Sequence, residues 1–288
     1  MRSIILAAAF IIAPAFVYGQ GEAITIKLKK STVGDIAKET KLSTEILNVN
    51  GNAMGEAIKD ETKKVTATAF TDEVLEVAEG STKPTKFKRS YEKAEVTLKG
   101  ETKKISVEGK TVLVEKKDKK FTFTIDGKPV AEDAEQFLTE EFSGKKDDDS
   151  FAFLLPKDAV KAGETWKIDL AKVAKEFEDN MTVDAEKSTG TGKLIKTYKK
   201  AGATYGEFEV TIDLSIAKFG AGAQAFPVKP GAMMSIKFKM DGCLDGTEEA
   251  GQATMTMKGK VDANIPNAEI AVEIDMKMEG TREPVKKK

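Results

Sequence analysis

Seven of the ten methionines in this 288-residue chain fall between 233 and 278: Met233, Met234, Met240, Met255, Met257, Met276 and Met278. Met255 and Met257 share one side of an extended chain, as do Met276 with Met278 and Met234 with Met240. If these runs are neighbouring strands, six thioethers line one surface. Thioethers are flexible and polarizable, so such a surface adapts to apolar ligands of varied shape. Three readings follow, in order. The first is ordinary sheet core, where Met fills gaps. The second is a groove for acyl chains or an apolar peptide. The third is a Cu(I) site built from soft sulfur ligands, placed last because copper-binding segments cluster Met more densely and often include His. Trp166, the one Trp, and "KRSY" (Lys88–Tyr91) carry groups suited to stacking or anion binding. A lone Trp at the start of a strand more often closes a core, and Trp166 is read first as a structural plug. The candidate ligand-binding set is Met234, Ile236, Phe238, Met240, Met255, Met257, Ile274, Met276, Met278 and Trp166.

Other chemistry is limited by what is missing. The chain has no His, which removes the Ser-His-Asp and Cys-His nucleophile systems. It also removes the common zinc sites, since carboxylates and one Cys make a poor nitrogen–sulfur cage. A glycosidase needs only two acids across a cleft, but with 47 acids in the chain candidates alone discriminate nothing. The expected protein is non-catalytic, with no cofactor and no metal. Asp147–Asp149 and "DGCLDGTEE" (241–249) hold oxygen ligands, yet neither follows a calcium-loop pattern. Cys243 is the only cysteine; it forms no internal disulfide and reads as a tolerated, buried small side chain.

The elements that must hold the methionines are strands. In "EFEVTIDLSI" (207–216), Phe208, Val210, Ile212, Leu214 and Ile216 share a side, with acids and hydroxyls opposite. "MSIKFKM" and "IAVEIDMKM" repeat the pattern, which suits a sheet with one wet face. Shorter alternations mark Ile24, Ile26 and Leu28, then Val112 with Val114, then Phe121, Phe123 and Ile125. Asn50-Gly51, Lys99-Gly100, Glu108-Gly109 and Asp126-Gly127 read as turns between antiparallel strands. Two segments are helical instead, 131–142 and 170–179, each with apolar residues at helical spacing. "STVGDIAKET" (31–40) and "VKAGETWKID" (160–169) align Gly34 with Gly163, Asp35 with Glu164 and Lys38 with Lys167. Both are expected to be Gly-acid turns, and three matched positions are weak support for an internal duplication.

Arg2 and the apolar run Ile4–Phe16 read as a signal peptide over residues 1–19, too short for a comfortable membrane span. An exported protein, periplasmic or extracellular, is expected. "SGKKDDDS" (143–150) is the boundary signal, giving an N-terminal β-rich half over 20–146 and a C-terminal one over 147–288. Lys and Arg number 46 against 47 Asp and Glu, a net charge of −1. Such a balance supplies no field favouring nucleic acid.

"LLPKDAVKAGETWKID" resembles a motif of exported bacterial β-rich proteins of unknown function. "TDEVLEVAEGSTKPTKFKRSYEKAEV" (71–96) with "VEGKTVLVEK" (107–116) resembles the front half of similar proteins from planctomycete-type bacteria. The resemblance implies a secreted or periplasmic β-rich protein and transfers no catalytic residue. In architecture only, the pattern is similar to open-barrel carriers that shuttle lipoproteins or lipid across the bacterial periplasm. The expected fold is mainly β: two consecutive curved antiparallel sheets or open half-barrels, each with one accompanying helix. The expected function is a binding or carrier protein for an apolar small molecule, a lipid or an envelope component. Alternatives are a structural or assembly module partnered by an envelope protein and, third, a carboxylate-based hydrolase.

Overall fold

The computed structural model describes residues 22–54, 56–117, 120–142, 152–220, 226–265 and 268–286. The leader, the boundary segment 143–150 and Asp147–Asp149 lie outside the described residues. The strands in chain order are β1 (Ile36–Ala53), β2 (Glu56–Val77), β3 (Pro84–Leu98), β4 (Glu101–Lys104), β5 (Thr111–Lys117), β6 (Lys120–Ile125) and β7 (Lys128–Pro129). Helix α1 (Glu132–Phe142) and a single 3-10 turn (Ala152–Leu154) lead into the second half. There follow β8 (Thr165–Lys167), helix α2 (Leu170–Phe177), β9 (Met181–Lys200), β10 (Ala203–Phe219), β11 (Phe226–Pro227), β12 (Met233–Cys243), β13 (Gly251–Ile265) and β14 (Ala268–Pro284). Both helices stand where apolar spacing placed them. Lys99-Gly100, Glu108-Gly109 and Asp126-Gly127 are turns.

The two expected sheets are one. The strands form a 14-stranded antiparallel sheet in the order β7-β6-β5-β3-β2-β1-β14-β13-β12-β10-β9-β8, with β4 on β3 and β11 on β10. What joins the halves is the pairing of β1 with β14, unbroken from Ala37↔Pro284 to Ala53↔Ala268. The order does not close on itself, since β7 and β8 end the path without pairing to each other.

Each half nevertheless keeps its own core, and each core takes one helix. In the first, Ala134, Phe137, Leu138 and Phe142 of α1 pack with Phe70, Phe87, Tyr91, Val112, Val114 and Phe123. In the second, Val173 of α2 packs with Phe208, Val210, Ile212, Leu214, Met234 and Ile236. Ile26 and Val160 belong to this second core too. The alternation over Ile24–Leu28 therefore makes isolated bridges, Ile24↔Val160 and Lys27↔Asp245, and no strand of its own.

Two glycine expectations resolve differently. Asn50-Gly51 is not a turn; both residues lie within β1. A Cβ on Gly51 would stand 2.2 Å from the Glu269 carbonyl oxygen, so the glycine permits close approach of β14. The Gly-acid pairs, by contrast, are one device used twice. Gly34 (φ 87°) donates to Val74 O at 2.9 Å, and Val74 N–H donates back to Asp35 O at 2.9 Å. Gly163 (φ 89°) donates to Leu194 O at 2.6 Å, and Leu194 N–H donates back to Glu164 O at 3.1 Å. In each copy the acid folds onto the turn: Asp35 Oδ2 accepts from Thr32 N–H (2.8 Å) and Glu164 Oε2 from Lys161 N–H (2.7 Å). The positive φ explains the glycine in both.

Candidate functional site

The registers answer whether the methionines meet. Paired residues of antiparallel strands emerge on one side, so each row can be followed from β10 to β1. One row is Val210, Phe238, Met255, Met278 and Ser43. The next is Ile212, Ile236, Met257, Met276 and Glu45, and a third is Leu214, Met234, Gly259, Ile274 and Leu47. All ten residues proposed from sequence share this face, Met240 taking its place opposite Phe208 and Trp166 joining the first row through Gly192, which pairs with Val210. Trp166 sits farther along, opposite Gly192 on β9.

Burial falls from β10 to β14 along the rows. Val210, Ile212, Leu214, Met234 and Ile236 are core, Met234 being only 1% exposed. Phe238, Met240, Met255, Met257 and Ile274 are partly buried against that core. Met276 is partly buried and joins neither core. Met278 is 37% exposed and Leu47 41%. The same apolar face thus begins as a packed core and ends as an open lane on β14 and β1. Trp166 is on the closed side: its indole N–H donates to Leu154 O at 2.8 Å, and its ring fills the space a Gly192 Cβ would occupy.

α1 covers the same face at the opposite end of the sheet, and a charged seam lies between it and the lane. The Arg89 guanidinium, buried, pairs with both oxygens of Asp72 (2.7 and 2.8 Å) and with Glu141 of α1. It lies 3.6 Å from the centre of the Phe70 ring. Tyr91 donates to Glu141 at 2.8 Å, and Lys41 bridges Glu39 (2.8 Å) and Glu141 (3.7 Å). Arg282 holds Glu39 at 2.5 Å and Glu249 at 2.9 Å. Burial works against ionisation of Glu39, but Lys41 and Arg282 outweigh it and hold its carboxyl below the usual range. For Glu249 burial wins over Arg282 and the carboxyl is pushed up. The Arg89 cation is satisfied inside the protein, so within "KRSY" Arg89 is not open to an external anion. Sequence spacing gave no warning of the seam, whose Glu39 and Arg282 lie 243 residues apart.

The opposite face is charged. Lys258 pairs with Asp275 (2.8 Å), Lys260 with Glu273 (3.2 Å) and Lys239 with Glu207 (2.5 Å). Two shallow concavities of about 390 and 370 Å³ lie there, lined by Lys258, Lys260, Glu273 and Asp275 in one and Lys239, Asp241, Gln252 and Glu279 in the other. The lane is thus an open surface, where the sequence reading placed a concavity. "DGCLDGTEE" is a structural clasp: Asp245 accepts from Thr247 Oγ1 (2.6 Å), Thr204 N–H (2.5 Å) and Cys243 Sγ (3.2 Å). Cys243 is buried. Among the described residues no helix is long and apolar enough to cross a membrane.

No family model and no curated protein matches the chain. Among solved structures, lipovitellin, studied for its lipid–protein interactions, aligns over 89% of this chain at 6% identity and a TM-score of 0.39; this chain spans 26% of that one. An outer membrane channel from Pseudomonas putida F1 aligns over 92% of this chain and 100% of its own, at 8% identity and a TM-score of 0.23. Scores this low carry no argument about function.

Proposed function

We propose that this chain is an exported, non-catalytic binding protein whose apolar ligand lies on the open lane of β13, β14 and β1. The observation that carries the reading is the continuity of one apolar face from dry core to exposed Met278 and Leu47. Water gains no polar partner over such a surface, and covering it is favourable by roughly 25 cal/mol for each Å². The lane's length suits a lipid chain. From Ile270 to Met278 the strand rises about 27 Å at ~3.4 Å per residue. A single membrane-lipid chain spans about 15 Å, half of the ~30 Å hydrocarbon core. Thioethers at Met255, Met257, Met276 and Met278 accommodate tails of different shape. Export rests on the leader-like run Ile4–Phe16.

An assembly role ranks second. The outer side of β2 over residues 56–63 has no strand partner among the described residues. Its charges at Glu56, Lys59, Asp60, Glu61 and Lys63 oppose edge pairing, which is why this reading stands behind the first. Native mass spectrometry of the gently purified protein tests the first reading, with co-purified lipid as the expected result. Delipidated protein should take up a fluorescent acyl probe, and Met276→Asp with Met278→Asp should weaken that uptake at least tenfold while leaving the melting temperature within a few degrees. Unchanged uptake would rule the lane out.

A further inference from the structure

We infer that the ligand of this lane is a single-chain amphiphile with a cationic, ammonium head; the inference rests on the proposed lane and adds the head group. The lane has two unlike margins. Toward β12 it is apolar, and toward β2 the rows pass into Ser43 with Thr66 and into Glu45 with Lys64. An amphiphile laid on the methionines therefore meets its first polar groups at this second margin.

The charge there is unbalanced. Glu45 is half-buried and stands beside Met276 across the ladder. Its cross-strand cation, Lys64, is turned to Glu140 of α1, which its ammonium holds at 2.9 Å. Among the described residues no basic group lies within ion-pair distance of the Glu45 carboxylate, whose contact is a long 3.5 Å hydrogen bond from Ser43. The adjoining seam offers no spare cation, since Arg89, Lys41 and Arg282 are each engaged by carboxylates. Glu45 therefore has no cation of its own among the described residues. An ammonium head supplies the missing charge at Glu45 while its chain lies over Met276 and Met278. A carboxylate or phosphate head would instead bring a second negative charge beside Glu45.

Isothermal titration of the purified protein with decyltrimethylammonium, decanoate and decyl glucoside, each below its micellar concentration, tests this. The three share a chain and differ in head charge. Wild type should bind the cation at least about fivefold more tightly than decanoate, the factor expected of one partly solvated ion pair. Glu45→Gln should remove that preference and leave decyl glucoside unchanged, and Glu45→Lys should turn it toward decanoate. Equal affinity for cation and anion in wild type, a preference for decanoate, or a preference surviving in both variants would overturn the head-group inference with the lane still standing. Failure of all three probes to bind would remove the lane itself. If a variant loses decyl glucoside as well, its fold is compromised and the wild-type preference decides the question.

Discussion

Replacing Arg89 by Met tests the packing logic of the seam. Arg89 has a side-chain exposure of 4%, and Asp72, which it holds by two hydrogen bonds, has 9%. Its third anchor is Glu141, the residue by which α1 is tied to β3. Taking away the cation leaves two carboxylates facing each other in a poorly solvated place, beside the Phe70 ring. Breaking a buried pair in this way costs about 3–5 kcal/mol, against a total stability on the order of 5–15 kcal/mol for a protein. The cost comes from the orphaned acids and not from any large intrinsic worth of the pair. The triple variant Arg89→Met, Asp72→Leu and Glu141→Leu should therefore recover most of the loss, because apolar replacements of a whole buried cluster are often neutral. Urea unfolding followed by circular dichroism reads both variants, and the single variant should lower the midpoint by on the order of 1 M. A loss below about 1 kcal/mol for the single variant, or a triple variant no better than the single, would refute the reasoning.

Three further outcomes follow from local geometry. Gly192→Ala would place a Cβ 2.0 Å from Trp166 Cε2, so the indole must leave its slot; a loss of about 1–3 kcal/mol with a red shift in tryptophan emission is expected. Gly51→Ala would set a Cβ against backbone of β14 and should cost a similar amount in thermal unfolding, whereas a true turn at Asn50-Gly51 would show no dependence on β14. Asp245 has its carboxyl held far below the ordinary 3.8, first by the Thr247 hydroxyl. A depressed carboxyl stabilises the fold above its unfolded value, and that contribution is lost as pH falls toward the folded one. Melting temperature should therefore drop more steeply below about pH 4 in wild type than in Asp245→Asn, which starts lower and changes less.

Much of this was legible because a half-buried strand writes its burial into alternate residues. β10, β12 and β14 announced themselves in that way, and so did both helices through the spacing of Ala134, Phe137 and Leu138 and of Leu170, Val173 and Phe177. The common face of the methionines followed from the same period of two. Burial along that face did not, because it depends on which strand stands next, and Met234 and Met278 look alike in sequence. The join of the halves was hidden for the same reason. β1 and β14 pair across more than two hundred residues, and no local period encodes that choice. β1 and β2 are 18 and 22 residues long, yet Ser, Thr, Lys and Glu occupy both of their sides where neither core reaches them. Asn50-Gly51 misled because a glycine kept for close approach of a neighbouring strand has the same letters as one kept for a turn.

The methyl groups of the methionines offer the most direct reading of where the ligand lies. With the methionine methyls labelled in carbon-13, a titration of the delipidated protein with an alkyl amphiphile should move the resonances of Met255, Met257, Met276 and Met278 together and saturably. Met181, buried in the second core, and Met54, exposed at the β1–β2 tip, should stay where they are. Shifts confined to Met54, or no shifts while the amphiphile demonstrably binds, would contradict the account.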